Sequence, residues 1–156
     1  MYETLLQAAY RFVSFRPRSE REITEFLEKK IGRSKTIDSA TIVRIIERLR
    51  ECGYADDRKF VQWWIEQRNS FRPKGIIALK SELLGKGISR SLIEEILDSS
   101  GEGEGAKKVI QKKLVLWAQK PISEQKKKVY TFLAQRGFSS GTIRKIIDGL
   151  GKKDYN

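Results

Sequence analysis

Apolar positions recur every three or four residues along the whole chain, which is the period of an α-helix. The first stripe runs from Leu5 to Val13 and the last from Ile143 to Leu150, with seven more between them. Prolines and glycines separate the stripes at positions where helices usually end. No segment alternates with the period of two that marks a β-strand. The pattern predicts nine helices and an all-α fold.

Two short segments recur at fixed intervals and indicate an internal repeat. Ser14-Phe15-Arg16-Pro17-Arg18 returns 56 positions later as Ser70-Phe71-Arg72-Pro73-Lys74, and Gly87-Ile88-Ser89 returns 50 positions later as Gly137-Phe138-Ser139. Because the apolar positions that follow them also align, we interpret the chain as three copies of a three-helix unit. A unit this small buries too little surface alone, so the copies are expected to stack into an elongated, curved body.

The repeat divides the chain into three predicted domains. Residues 1–55 form the first three-helix repeat, residues 56–100 the second, and residues 101–156 a flexible Gly/Glu linker followed by a basic third repeat. The linker prediction rests on three glycines between residues 99 and 105, since glycine gives the backbone the most freedom. The third repeat is therefore predicted to move relative to the other two.

The junction between the first two repeats has a different composition. It is short and ends in two adjacent carboxylates, which are far more typical of helix caps than of a metal site. The sequence therefore predicts a stiff structural junction formed by Gly53, Tyr54, Asp56 and Asp57.

Charge is unevenly distributed along the chain. The 156 residues carry a net charge of +12, and residues 105–156 alone contain 13 basic and three acidic side chains. Such an excess is typical of a surface that binds a polyanion, nucleic acid above all, although a lysine face can also serve solubility alone. The arginines beside the prolines have a local alternative, which is to bond carbonyl groups at helix ends. The candidate basic face comprises Arg16, Arg18, Arg68, Arg72, Lys74, Lys107, Lys108, Lys112, Lys113, Lys126, Lys127 and Lys128.

The chain lacks the side chains that most catalytic and metal sites need. It contains no histidine and one cysteine, Cys52, and no phosphate-binding glycine loop followed by Lys and Ser or Thr. We therefore expect no catalysis, no metal and no cofactor. A mean hydropathy of −0.50 argues against a membrane protein, and the lone cysteine suits the cytoplasm.

Three segments together resemble the RecX proteins, which regulate the bacterial RecA recombinase. They run from Arg16 to Ile23, from Gly53 to Phe60 and from Arg68 to Ile88. The resemblance implies a small all-α protein that lies along the groove of the RecA–single-stranded-DNA filament. It further implies inhibition of ATP hydrolysis, strand exchange and co-protease activity, in DNA repair, recombination and the SOS response. The implied partners are the RecA filament and single-stranded DNA, with non-specific duplex DNA as a further candidate.

Two other kinds of function stay open at this point. The segment from Ile42 to Gly53 could be a recognition helix of an independent helix-turn-helix DNA-binding protein, although its exposed charges are mixed. The chain could also be a helical adaptor for an acidic protein, without DNA. DNA binding through phosphates would weaken steeply with salt. Stacking of the repeats within one chain predicts a monomer.

Overall fold

The fold consists of α-helices, as the apolar periodicity predicts. A computed structural model describes residues 1–32, 39–98 and 101–151, and within these ranges it contains nine α-helices and no strand. The all-α prediction is confirmed. The helices are α1 (Tyr2–Phe15), α2 (Glu20–Ile31), α3 (Ser39–Glu51), α4 (Asp57–Phe71), α5 (Ile76–Gly85), α6 (Arg90–Ile96), α7 (Glu102–Trp117), α8 (Ile122–Gln135) and α9 (Ser140–Leu150).

The first three helices form one core. Helices α1, α2 and α3 all pack against one another, because each carries an apolar stripe on one face. Ile23, Leu27, Ile45 and Leu49 at the centre of this cluster are completely buried. Burying each such side chain contributes about 1.5–3 kcal/mol before the loss of conformational entropy is counted.

The last three helices form a second core in the same way. Helices α7, α8 and α9 contact one another around a cluster of buried side chains. The cluster consists of Ala106, Ile110, Val129, Leu133, Phe138 and Ile143.

The middle helices contribute to two compact units. One unit contains residues 1–64 and 83–93, and the other contains residues 65–82 and the chain from Glu94 onward. The predicted second repeat is thus divided, with parts of α4, α5 and α6 in each unit. The repeat boundaries themselves stay a prediction.

The start of α2 contacts the second repeat through two hydrogen bonds. The Ser19 hydroxyl donates to the carbonyl oxygen of Lys86 at 2.8 Å, and the Glu20 amide donates to the Asp57 carboxylate at 2.9 Å. Asp56 caps its own helix, accepting from the amides of Arg58 and Lys59. Both adjacent carboxylates therefore accept hydrogen bonds from amides at helix starts, but Asp57 does so for α2, a helix of the preceding repeat. We call this set of contacts the first joint.

A second joint repeats the arrangement at the start of α5. The Gly75 amide donates to the carbonyl oxygen of Arg136 at 2.9 Å, and the Ile76 amide donates to the Glu102 carboxylate at 2.7 Å. Glu102 also accepts from the Ser139 amide at 2.9 Å and the Thr142 hydroxyl at 2.6 Å. One carboxylate, 45 positions after Asp57, thus caps the starts of both α5 and α9.

The glycines predict a flexible linker, but the structure has the first turn of α7 at these positions. Helix α7 begins at Glu102, so residues 102–105 are its first turn, and residues 99 and 100 lie outside the described part of the chain. Gly103 and Gly105 each cost about 1 kcal/mol of helix stability relative to alanine. The hydrogen bonds of Glu102 and the burial of Ala106 and Ile110 offset that cost.

The two joint carboxylates have pKa values shifted in opposite directions. Burial raises the pKa of Asp57, and the nearby carboxylates of Glu20 and Asp56 raise it further. Burial also raises the pKa of Glu102, but hydrogen bonds from Ser139, Thr142 and the Ile76 amide outweigh it and leave the pKa below its ordinary value. Glu102 therefore contributes stability that is present at neutral pH and is lost as pH falls through its folded-state pKa. Asp57 contributes in the opposite sense, because folding favours its protonated form.

We accordingly expect Glu102→Gln to flatten the loss of stability in acid and Asp57→Asn to steepen it. The measurement is the free energy of unfolding by denaturant between pH ~3 and ~6, where carboxyl groups titrate. Parallel pH profiles for the two variants would contradict this assignment of the joint carboxylates.

Candidate nucleic-acid interface

Arg16 of the candidate basic face is held inside the first joint. Its guanidinium lies 3.2 Å from the Glu22 carboxylate and stacks over the Trp63 ring at 5.3 Å. Lys86 pairs with the same carboxylate at 3.2 Å and lies over the Trp64 ring at 5.5 Å. Because Glu22 is largely buried between these two cations, the cluster joins α2, α4 and the end of α5.

Arg18 is used locally as well. Its Nε donates to the Phe12 carbonyl oxygen at 3.1 Å near the end of α1, and its guanidinium lies 4.0 Å from the Phe12 ring centroid. Burial lowers the pKa of Arg18, and the charge of Arg16 lowers it further. The local alternative, a bond to helix-end carbonyl groups, therefore describes the contact that Arg18 makes.

Two candidates of the second Arg-Pro segment share one carboxylate. Arg68 Nε lies 3.0 Å from Glu82 and Lys74 Nζ lies 2.5 Å from its other oxygen. Arg72, between them in sequence, is exposed to solvent. Of this group Arg72 presents its charge most openly.

The lysines of α7 and α8 are arranged differently. Lys107 is exposed and lies 3.6 Å from the exposed Glu104. Within the described residues no carboxylate lies at ion-pair distance from the other six lysines of these helices, and we call the four that also lie over no aromatic ring the open lysines. The open lysines are Lys108, Lys112, Lys126 and Lys127, and all four are exposed.

The remaining two lysines lie over aromatic rings between α7 and α8. Lys113 Nζ is 5.6 Å from the Phe132 ring centroid, and Lys128 Nζ is 5.8 Å from that of Trp117. The two rings meet edge to face, with centroids 6.3 Å apart. The sequence predicts Trp117 and Phe132 only as apolar-stripe residues. Each lysine lies over the ring of the other helix, so no spacing along the sequence signals this arrangement.

Three adjacent lysines in the second turn of α8 correspond to the first residues of α5. At the 50-residue interval, Lys126, Lys127 and Lys128 correspond to Ile76, Ile77 and Ala78 of α5. In the second joint, the amides of Ile76 and Ile77 donate to Glu102 and Gly137. Lys126 thus stands where the second repeat has the buried Ile76, whereas Lys127 corresponds to Ile77, which is 59% exposed.

The predicted structural junction holds its backbone through a left-handed glycine. Gly53 has φ +77°, and the next amide, that of Tyr54, donates to the Leu49 carbonyl oxygen at 2.8 Å. The Tyr54 ring lies edge-on to Tyr10, with centroids 5.7 Å apart. This turn sets the position of Asp56 and Asp57 at the start of α4.

No histidine, cysteine or carboxylate cluster in the described ranges has three members placed to hold a metal ion. None of the described helices is both long and apolar enough to cross a membrane.

Family models match two parts of the chain. Residues 56–97 match the second three-helix domain of RecX, and residues 102–147 match the third three-helix domain of RecX. The predicted three-helix architecture is thereby confirmed.

Curated relatives cover most of the chain. Regulatory protein RecX of Chlorobium phaeobacteroides is 34% identical over 142 residues, which are 91% of this chain and 90% of that protein. Regulatory protein RecX of Chlorobaculum tepidum is 31% identical, with coverage of 91% and 85%. The Oceanobacillus iheyensis protein of the same name is 30% identical, and the chain spans 50% of its length. The family therefore includes chains of this length and longer ones.

The fold agrees with a solved structure. The crystal structure of RecX from Lactobacillus salivarius superimposes with a TM-score of 0.82, at 22% sequence identity, over 96% of each chain. Together with the family models and the relatives above, this establishes that the chain belongs to the RecX family of regulatory proteins.

Proposed function

We propose that this chain is an inhibitor of the RecA recombinase that binds along the RecA–single-stranded-DNA filament. In this proposal it acts in the cytoplasm as a monomer and is not an enzyme. It suppresses ATP hydrolysis, strand exchange and co-protease activity by contacting the filament rather than by chemistry of its own. The family name supports regulation of RecA, and the mode of binding is our inference from the distribution of cations.

The observation that carries the proposal is the contrast between paired and open cations. Arg16, Arg68 and Lys74 form ion pairs with carboxylates within the fold, and Arg18 contacts a carbonyl oxygen and a ring. The open lysines of α7 and α8 have exposed ammonium groups instead. Flexible point charges of this kind suit a phosphate backbone or an acidic protein surface. We therefore assign filament contact to the open lysines first and to Arg72 and Lys107 second.

The ion pairs of α3 argue against the helix-turn-helix alternative. Its candidate recognition helix is α3, on which Arg50 forms a two-point ion pair with Glu20, and Arg48 pairs with Glu51. A recognition helix needs such arginines free to reach base edges. The helical adaptor for an acidic protein is compatible with the same lysines and is separated by experiment.

The test is DNA-dependent ATP hydrolysis by the cognate RecA, with the protein titrated in. We expect inhibition at less than one regulator per recombinase protomer. The double reversal K126E/K127E should raise the concentration needed for half inhibition by about tenfold or more, since several charge-assisted contacts change sign. Lys128 is left intact because its ammonium group lies over the Trp117 ring.

K29E/K30E is the matched control, because it reverses two adjacent exposed lysines at the end of α2 and changes the net charge equally. It should inhibit like the parent protein. Equal loss in both variants would show that only net charge matters. Unchanged hydrolysis at excess parent protein would refute inhibition. Inhibition without any affinity for bare single-stranded DNA would favour a protein-only contact.

A further inference from the structure

We propose that Trp117 and Phe132 line a site that stacks a base of single-stranded nucleic acid. This inference rests on the proposed function, because it adds a base-binding element beside the lysines assigned to the filament. It concerns a groove on the α7–α8 helix pair. The groove has a volume of about 360 Å³ and is lined by Trp117, Lys127, Lys128, Thr131, Phe132 and Gln135.

Part of the aromatic surface in the groove is not buried in the core. Trp117 and Phe132 are both only half-buried, although they pack against the core of α7, α8 and α9. Their edge-to-face contact fixes both rings. A rigid, partly exposed indole is the kind of platform on which bases stack, whatever their sequence.

The charge of the lining identifies the occupant. Of the described residues that line the groove, two are lysines and none is a carboxylate. Lys127 is an open lysine, so the groove continues the cationic surface directly, while Lys128 lies over the Trp117 ring. A phosphate on either side of a stacked base would meet these ammonium groups. Thr131 and Gln135, one turn apart on α8, add a hydroxyl and an amide that can bond a base edge.

The combination favours nucleic acid over an acidic peptide. A peptide carboxylate would use the lysines but would offer no flat surface to the Trp117 indole, whereas Phe132 already has the Arg136 guanidinium over its ring. Stacking one base contributes about 1–3 kcal/mol in single-strand-binding proteins, and the backbone contacts are sequence-tolerant. The site should therefore bind single strands with little base preference and with a component of affinity that salt does not remove.

The experiment compares two labelled oligonucleotides of about 15 nucleotides, an oligo(dT) and an abasic strand with the same phosphates, by fluorescence anisotropy with the full chain. We expect the parent protein to bind oligo(dT) about fivefold more tightly or better. Trp117→Leu should remove this preference, and Trp117→Phe should keep most of it. Thermal unfolding shows whether each variant is folded.

The double variant K126E/K127E is tested with the same two oligonucleotides, because it changes the charge beside the groove and leaves both rings in place. It should weaken binding of both oligonucleotides and reduce the salt dependence, while the ratio between them survives. Equal affinity of the parent protein for both strands would overturn the base site. A ratio that persists in folded Trp117→Leu would overturn the role of Trp117. Either outcome is independent of the ATP hydrolysis assay, so the two proposals fail separately.

Discussion

Phe60→Ala is expected to lower the free energy of unfolding by about 3–5 kcal/mol, as large-to-small substitutions of buried aromatic residues do. Phe60 is the largest completely buried side chain of the described residues. Its ring lies 5.7 Å from that of Trp64 and 6.2 Å from that of Trp63, measured between centroids. Removing it leaves a cavity beside rings that the first joint uses to hold Arg16 and Lys86. Since small proteins are stable by only about 5–15 kcal/mol, this is a large part of the total.

Phe71→Ala is the matched control, because the same substitution is made on the same helix. Phe71 is 80% exposed, so its removal should change the free energy of unfolding by no more than about 0.5 kcal/mol. Unfolding in urea measures both variants. Similar losses in the two proteins would mean that Phe60 does not anchor α4.

The helices and their recurrence could be predicted from the sequence because both are local properties. Apolar periodicity marks a helix whatever its neighbours are, and the left-handed turn at Gly137 recurs from Gly87 with φ within a few degrees. The start of α7 could not be predicted in this way. Three glycines around Glu102 favour a linker by propensity, and the hydrogen bonds that hold Glu102 come from Ile76, Ser139 and Thr142, distant in sequence.

The candidate interface shows the same limit. A basic residue can be recognised in a sequence, but the carboxylate that forms an ion pair with it in the fold cannot. Arg68 and Lys74 look as available as Lys108 until the structure places Glu82 between them. The open lysines remain candidates because none of them forms an ion pair with a carboxylate within the described residues.

The position of those lysines also has two physical explanations. A solvated lysine face can serve solubility alone, which would account for Lys126 and Lys127 without any partner. A polar face could use any charge, however, whereas here lysines continue into a groove lined by Trp117 and Phe132. Solubility alone does not require an aromatic groove beside the charges. The ATP hydrolysis and oligonucleotide assays separate these explanations.

Gly75→Ala is expected to disrupt the second joint. A Cβ at residue 75 would lie 2.2 Å from backbone atoms of Gly137 and Phe138, well inside van der Waals contact. Backbone cannot rotate aside as a side chain can, so α5 and the end of α8 must separate. Overpacking of this kind costs about 1–3 kcal/mol, and the hydrogen bond from the Gly75 amide to Arg136 would be strained as well. We therefore expect a loss near the upper end of that range.

Gly85→Ala on the same helix provides the control. A Cβ there meets no heavy atom within 4 Å, so the variant should match the parent protein or gain up to about 1 kcal/mol from helix propensity. Amide hydrogen exchange at Ile76 and Ile77 gives a local readout, because these amides donate across the joint. Their protection should fall in Gly75→Ala and persist in Gly85→Ala.

Comparison with the first joint explains why glycine is needed at residue 75 but not at the equivalent position of the preceding repeat. At the equivalent position Ser19 carries a Cβ, is completely buried, and uses its hydroxyl to reach the Lys86 carbonyl oxygen. In the second joint the backbone amide of Gly75 makes the corresponding contact with Arg136. The backbone at Gly75 therefore lies so close to the backbone of Gly137 and Phe138 that no room is left for a side chain. Gly75→Ser should therefore destabilise the protein at least as much as Gly75→Ala. A Gly75→Ser variant as stable as the parent would show that the two joints are interchangeable.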